Sequence, residues 1–321
     1  STKEYIGVTR IHLIDKVLDI SLVEPTITFF ENNLLKTIEI KDLITTEDLD
    51  QIVKEIGGIS ATSVSLHLNY KKQLLGIKKF KADSYKKSDI HICFKDFPSE
   101  EIFNKQGISI KSHLGSNPTL LNASGSTNFI YKVQGLSKAD IEDINNETSF
   151  ISPKGERKVN LKDRIQLIYS RGGNLVFEKC ENPTYEESLK SVDSRMDEIL
   201  ADALIAYYSR EINYLSQYRG NIIPPQASHN RLKDFIKYTM FGIFPNKKWD
   251  GTCTANGVFL VKSINGELVF FHITKEDIMK EYFLSKSYFD TPSLSRHRFG
   301  SFFNENNNYY IKLNLQIRLA P

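Results

Sequence analysis

Cysteine is scarce in this chain of 321 residues: there are three, Cys93, Cys180 and Cys253, far apart in sequence. Three isolated thiols give neither a disulfide framework nor a paired zinc motif, so the fold must rest on its apolar core and a reducing compartment is expected. The seven histidines are scattered, with no His-x-x-x-His to set two imidazoles on one helix face. No apolar run approaches the roughly 18 residues that a membrane helix needs. The opening Ser1-Thr2-Lys3-Glu4 lacks the basic-then-apolar order of a secretory leader. There is no Gly-rich phosphate loop and no Gly-x-Ser-x-Gly, which argues against nucleotide-binding and serine-hydrolase chemistry.

A large excess of one charge is missing too. Lysine and arginine number 42 against 39 acids, a net charge of +3. So mild a balance permits a nucleic acid partner without demanding one. Contacts with phosphate must come from local clusters, and several exist: Lys71-Lys72, Lys78-Lys79-Lys81, Lys86-Lys87, Lys247-Lys248 and Arg296-His297-Arg298. Any one of these is also compatible with an ordinary solvated surface. Hydrophobic residues at 40% and charged residues at 25% suit a globular chain with one large core or two modest ones.

Apolar periodicity outlines the elements. Thr26 to Phe30 is all β-branched or aromatic and reads as a strand. Thr46 caps a helix whose stripe is Leu49, Ile52, Val53 and Ile56, and Gly57-Gly58 stops it. Residues 60–69, 90–94, 107–113 and 127–134 read as strands, and Ser137 with Asp140 forms a capping box for a helix. One helix is predicted from Glu186 to about Arg210. Pro224-Pro225 then punctuates the chain. Val258–Val261 and Leu268–Phe271 around Asn265-Gly266 spell a hairpin, a helix follows over 274–284, and Tyr309–Leu319 alternates as one last strand. Three sections are expected: a core at 1–175, a helical section at 176–225 and a C-terminal α/β portion at 226–321.

The chemistry centres on two predicted strands. Asp89 starts the first, and the second, Gly107-Ile108-Ser109-Ile110-Lys111-Ser112, carries a lysine inside an apolar alternation. On neighbouring strands, Asp89 and Lys111 would meet at one sheet edge, with Ser109 on the face of Lys111. This is the skeleton of the PD-(D/E)xK nuclease site. A carboxylate holds Mg²⁺, which polarises phosphate and acidifies water, and the lysine positions that water and stabilises developing charge. Asp89 is the expected metal ligand, joined by the Ile110 carbonyl. The second acid is missing, since Ser109 stands two residues before the lysine; Glu55 is the candidate substitute. A pairing of similar shape, Asp250 with Leu260-Val261-Lys262, has leucine at that place.

Two longer stretches carry a resemblance. Residues 107–124, continuing to Thr127-Asn128-Phe129, and the end of the chain, Thr291 to His297 and Lys312 to Arg318, resemble the HpaII-type family of type II restriction endonucleases. The resemblance implies a restriction-endonuclease-like α/β fold with a mixed central sheet flanked by helices. It implies a bacterial cytoplasmic enzyme that cuts double-stranded DNA with Mg²⁺ at a short palindrome such as CCGG, after the first C. A companion methyltransferase would protect host DNA, and a palindromic target suggests a homodimer. Arginine suits guanine O6 and N7, so Arg296, His297 and Arg298 are the expected base readers. Asn117, Asn122, Ser124 and Asn128 are expected near bases or backbone, and Lys86 and Lys87 on phosphates. Two alternatives stay open at this point: a DNA-binding protein with a degenerate nuclease core, and a different magnesium-dependent nuclease.

Overall fold

The computed structural model describes residues 6–12, 17–21, 26–31, 34–39, 86–113, 116–153, 155, 157–220, 222–262 and 268–321. The chain divides into two units, residues 1–117 with 253–276, and residues 118–252 with 277–321. The boundaries thus fall at 117/118, 252/253 and 276/277, and residues 257–272 belong with the N-terminal stretch.

The first unit is built on an eight-stranded sheet. Its strands are β1 (Ile6–His12), β2 (Val17–Ile20), β3 (Thr26–Glu31), β4 (Leu34–Glu39), β5 (Ile90–Asp96) and β6 (Ile102–Ser112), joined by the later β12 (Gly257–Val261) and β13 (Leu268–His272). The order is β13-β12-β6-β5-β1-β2-β3-β4. β12 runs parallel to β6 and the other described pairings are antiparallel, so the sheet is mixed, as expected. The strands expected at Thr26, Ile90 and in the hairpin are present, with Val261 opposite Leu268. The Asn265-Gly266 turn, the helix expected from Thr46 and the strand expected at 60–69 lie outside the described residues.

Strand β6 starts at Ile102, five residues before the expected Gly107. Its first half, Phe103-Asn104-Lys105-Gln106, has no apolar alternation to read, and pairing with β5 (Phe94 opposite Phe103) makes it a strand. One face packs Ile92, Phe94 and Ile108, all at most 2% exposed, with Phe103, Phe259 and Phe270 against them. Gly107 has a specific reason to be glycine. A Cβ there would sit 2.9 Å from the Thr254 carbonyl oxygen and 3.1 Å from the Ser88 Cβ. The bare backbone instead exchanges hydrogen bonds with Asn256, accepting from its N–H at 2.6 Å and donating to its Oδ1 at 3.2 Å. That clasp sets the start of β12 against β6.

The second unit holds two sheets and a short hairpin. The strands are β7 (Thr119–Leu121), β8 (Asn128–Gln134), β9 (Ser149–Ile151), β10 (Arg157–Val159), β11 (Asn174–Cys180), β14 (Ser287–Phe289), β15 (Phe302–Glu305), β16 (Asn308–Asn314) and β17 (Ile317–Leu319). They pair as β11-β8-β16-β15, β14-β17-β7 and β10-β9. The helices are α1 (Lys138–Thr148), α2 (Leu161–Ser170), α3 (Pro183–Val192), α4 (Met196–Tyr208), α5 (Pro225–Phe241), α6 (Glu276–Lys286, from the unit boundary) and α7 (Leu294–His297). The capping box of α1 is formed, with the Asp140 carboxylate accepting the Ser137 N–H at 2.8 Å.

Two expected elements are each broken in two. The helix predicted over 186–210 is α3 and α4, separated at Asp193. The Asp193 carboxylate accepts the Arg195 N–H at 3.0 Å and takes an ion pair from Arg231 at 2.9 Å, a local turn that competes with continued helix. α4 is buried on most of its circumference, and its Ala201 carbonyl accepts the Tyr131 hydroxyl at 2.8 Å. The final strand is also two, β16 and β17, in different sheets. Between them the Leu315 N–H turns to the Thr127 carbonyl at 2.9 Å. The apolar alternation survives the break because both strands face buried surroundings.

Candidate active site

β5 and β6 pair from Lys95 opposite Ile102 to Ile90 opposite Ile108. Beyond Ile108 the ladder with β5 is replaced. The Asp89 N–H still reaches the Ile108 carbonyl at 2.8 Å, but the next donor, the Ile110 N–H, goes to Asp89 Oδ2 at 2.6 Å. Ser109 Oγ donates to the same oxygen at 3.4 Å. On the other side β12 continues alongside, with Val258 opposite Ser109 and Leu260 opposite Lys111. The end of a strand therefore holds the carboxylate, while the neighbouring strand runs on and is supported from one side.

Alternation puts Ser109 and Lys111 on the face opposite Ile108. Ser109, Val258 and Leu260 are buried there, at 3%, 0% and 1% exposure. Lys111 is half-buried beside them, and burial lowers its ammonium pKa against the opposing pull of Asp89. Asp89 itself is exposed. Its Oδ2 is taken by β6, and among the described residues Oδ1 accepts no hydrogen bond. The structure thus brings Asp89, Ser109, Ile110 and Lys111 together. Glu55 lies outside the described residues.

The oxygen donors in reach of Asp89 are a carboxylate, the Ser109 hydroxyl and the backbone of exposed Ile110. These hard ligands suit a magnesium-class ion, which keeps several waters and needs few protein oxygens. Among the described residues no three carboxylate, imidazole or thiol side chains converge on a metal position. The rival Asp250 spends its carboxylate on its own loop, accepting the Thr252 N–H at 3.0 Å and hydroxyl at 2.6 Å.

Lys87 was expected only on phosphate. It lies half-buried beside Lys111, its pKa pushed down to about 7 by burial and then by the Lys111 charge. Although the ladder ends at Ile90, the chain just before β5 still lies against β6, which brings Lys87 near Lys111; in the sequence alone, two lysines 24 residues apart give no signal. Lys86 is exposed.

The second unit contains an open cleft of about 540 Å³ lined by Glu181, Asn182, Arg296, His297 and Arg298 with Gly125 and Ser126. Arg296 and Arg298 are exposed, and among the described residues neither pairs with a carboxylate. His297 is half-buried, its pKa lowered by burial and by Arg296. Ser124 and Asn128 lie behind this cleft, the Ser124 carbonyl and the Asn128 side chain both bonded to Asn314. Asn122 is exposed in the loop before them, and Asn117 ends the first unit.

An aspartate at a strand end whose second oxygen takes no hydrogen bond among the described residues, a half-buried lysine on the next strand, and a mixed sheet around them have the arrangement expected of a nuclease site. The comparison with known sequences makes the class specific. The HpaII restriction endonuclease family model matches residues 4–319, and the chain belongs to that family. It is therefore a type II restriction enzyme, a site-specific deoxyribonuclease acting on double-stranded DNA. Restriction endonucleases generally work with a divalent metal ion and within restriction–modification systems. Among curated proteins, the type II restriction enzyme HpaII of Haemophilus parainfluenzae is 35% identical over 277 residues, covering 83% of this chain and 74% of that protein. No solved structure matches the chain. Among the described residues no helix is long and apolar enough to cross a membrane.

Proposed function

We propose that this enzyme cuts double-stranded DNA in a magnesium-dependent reaction at a short G·C palindrome, CCGG first among the candidates, using Asp89, Ser109 and Lys111. The observation that carries the reading is the Asp89 carboxylate seated on the Ile110 N–H, with Lys111 one residue further along the same strand. Asp89 and the Ile110 carbonyl are the groups that would hold Mg²⁺, which when bound supplies charge neutralisation at the phosphate and a more acidic water. The β6 backbone orients Asp89, so its open oxygen is fixed before DNA arrives. Ser109 stands where the second acid of the expected skeleton would be, and it gives Asp89 a neutral hydroxyl donor instead. Lys111 Nζ, with its proton loosened by burial, holds and exchanges a proton with the attacking water and offsets charge on the phosphate.

Recognition is assigned to the second unit. Arg296 and Arg298 have the fork of donors that matches guanine O6 and N7, which favours a G·C-rich target. Ser126 lines the same cleft, exposed Asn122 lies in the loop four residues before it, and Lys86 suits a phosphate contact. A palindrome calls for two-fold symmetry, so the enzyme acts as a homodimer, and a methyltransferase of the same specificity protects host DNA.

The test is cleavage of a CCGG duplex with Mg²⁺ by the wild type and by Asp89→Asn. The wild type is expected to cut, and the variant to cut at least about a hundredfold more slowly. Equal rates would remove Asp89 from the site.

A further inference from the structure

Arg298 has a left-handed backbone, φ 55° and ψ 51°, directly after the four-residue helix α7. A residue other than glycine or asparagine rarely adopts this conformation, which persists only where the surroundings impose it. The surroundings here are two buried donors on either side of the strained residue. Asn128 has no exposed surface, and its Nδ2 donates to the His297 carbonyl at 3.0 Å and to Glu181 Oε2 at 2.7 Å. Its Oδ1 accepts from Asn314 Nδ2 at 2.6 Å. Arg164, also without exposed surface, donates to the Gly300 carbonyl at 2.6 Å. The same guanidinium is held by Thr148 Oγ1 at 2.9 Å and Asn145 Oδ1 at 2.8 Å.

We infer that Asn128 is a positioning residue for sequence discrimination: through the His297 carbonyl it clamps the segment 293–300 so that Arg296 and Arg298 are presented in the cleft. The inference rests on the reading of these arginines as base contacts. The Asn128 amide is occupied inside the protein on both ends, so its part is to shape the reader rather than to touch a base. Asn314 orients the amide, and Glu181, itself paired with Lys312, accepts a hydrogen bond from its Nδ2. The clamp acts before binding: arginines held in place lose less freedom on contact, and a misaligned guanidinium loses the bidentate geometry that tells guanine from adenine.

The experiment measures discrimination, the ratio of affinities for a CCGG duplex and duplexes altered at one base pair, without divalent metal and well below the unfolding temperature. It uses the wild type, Asn128→Ala, Arg298→Ala, Arg296→Ala and the double variants. Each arginine variant is expected to lose discrimination at one base pair by about tenfold. Asn128→Ala is expected to lose a similar factor at each base pair that an arginine variant affects, and at that base pair the double variant no more than the arginine variant alone. A folded Asn128→Ala with wild-type discrimination, or losses that multiply in the double variant, would overturn the clamp. Unchanged discrimination in both arginine variants overturns the base-reading assignment instead, which keeps the two failures apart. If Asn128→Ala does not fold, Asn314→Ala replaces it, since it releases the Asn128 amide from its other end, and the same criteria apply.

Discussion

Replacing Lys111 by methionine isolates its charge from its bulk. The stem of Lys111 lies on the buried face beside Leu260, and methionine fills nearly the same volume there while removing Nζ. Three magnitudes follow. The fold loses little, under about 1.5 kcal/mol for a volume-conserving change, because a lysine whose pKa burial lowers is not a source of stability. Binding changes little as well: one partly exposed ion contact is worth about 0–1 kcal/mol, at most about fivefold in Kd. The chemical step loses the group that exchanges a proton with water, a factor of about 10²–10⁴. The assay is single-turnover cleavage of a fluorescent duplex with Mg²⁺, beside anisotropy binding without metal and a thermal melt. A cleavage rate within tenfold of wild type would refute the role. So would a loss shared equally between binding and cleavage, because it would make Lys111 a phosphate contact only.

Other perturbations probe the buried supports and the base contacts separately. Arg164→Met leaves the Gly300 carbonyl and Asn145 without their buried donor, at a cost of about 2–5 kcal/mol, and should lower the Tm by about 3–7 °C in circular dichroism; an unchanged Tm would show that these acceptors find other partners. Gly107→Ala forces a Cβ to within 2.9 Å of the Thr254 carbonyl and should cost about 1–3 kcal/mol, with reduced cutting because the strand of Lys111 shifts. A variant with full stability and activity would mean that β12 yields freely. Arg296→Ala should relax preference at one base pair by about 1–3 kcal/mol in competition cleavage, leaving the other positions unaffected.

Much of the strand framework was legible because half-buried strands write their faces into the sequence. Ile90 and Ile108 with their neighbours carried enough alternation to place Asp89 and Lys111 on adjacent strands. What sequence could not show was pairing between distant segments. The parallel contact of β12 with β6 joins residues about 150 apart, and the clasp of Gly107 with Asn256 has no local pattern. The breaks at Asp193 and Leu315 were hidden for a related reason. Both lie within continuous apolar periodicity, and only tertiary hydrogen bonds interrupt the element. Asn128 and Arg164 look in sequence like surface polar residues; burial makes them fixtures of the arginine segment. Lys87 illustrates the same limit, since its meaning comes from the nearby Lys111 charge, which only the fold brings close.

Metal-dependent cutting through Asp89 is tested most directly by digesting unmethylated phage DNA with the purified protein and Mg²⁺, beside an EDTA control and the Asp89→Asn variant. Discrete fragments on the CCGG map are expected from the wild type, and intact DNA in both controls. Fragments that persist in EDTA, or an Asp89→Asn digest identical to wild type, would contradict that expectation.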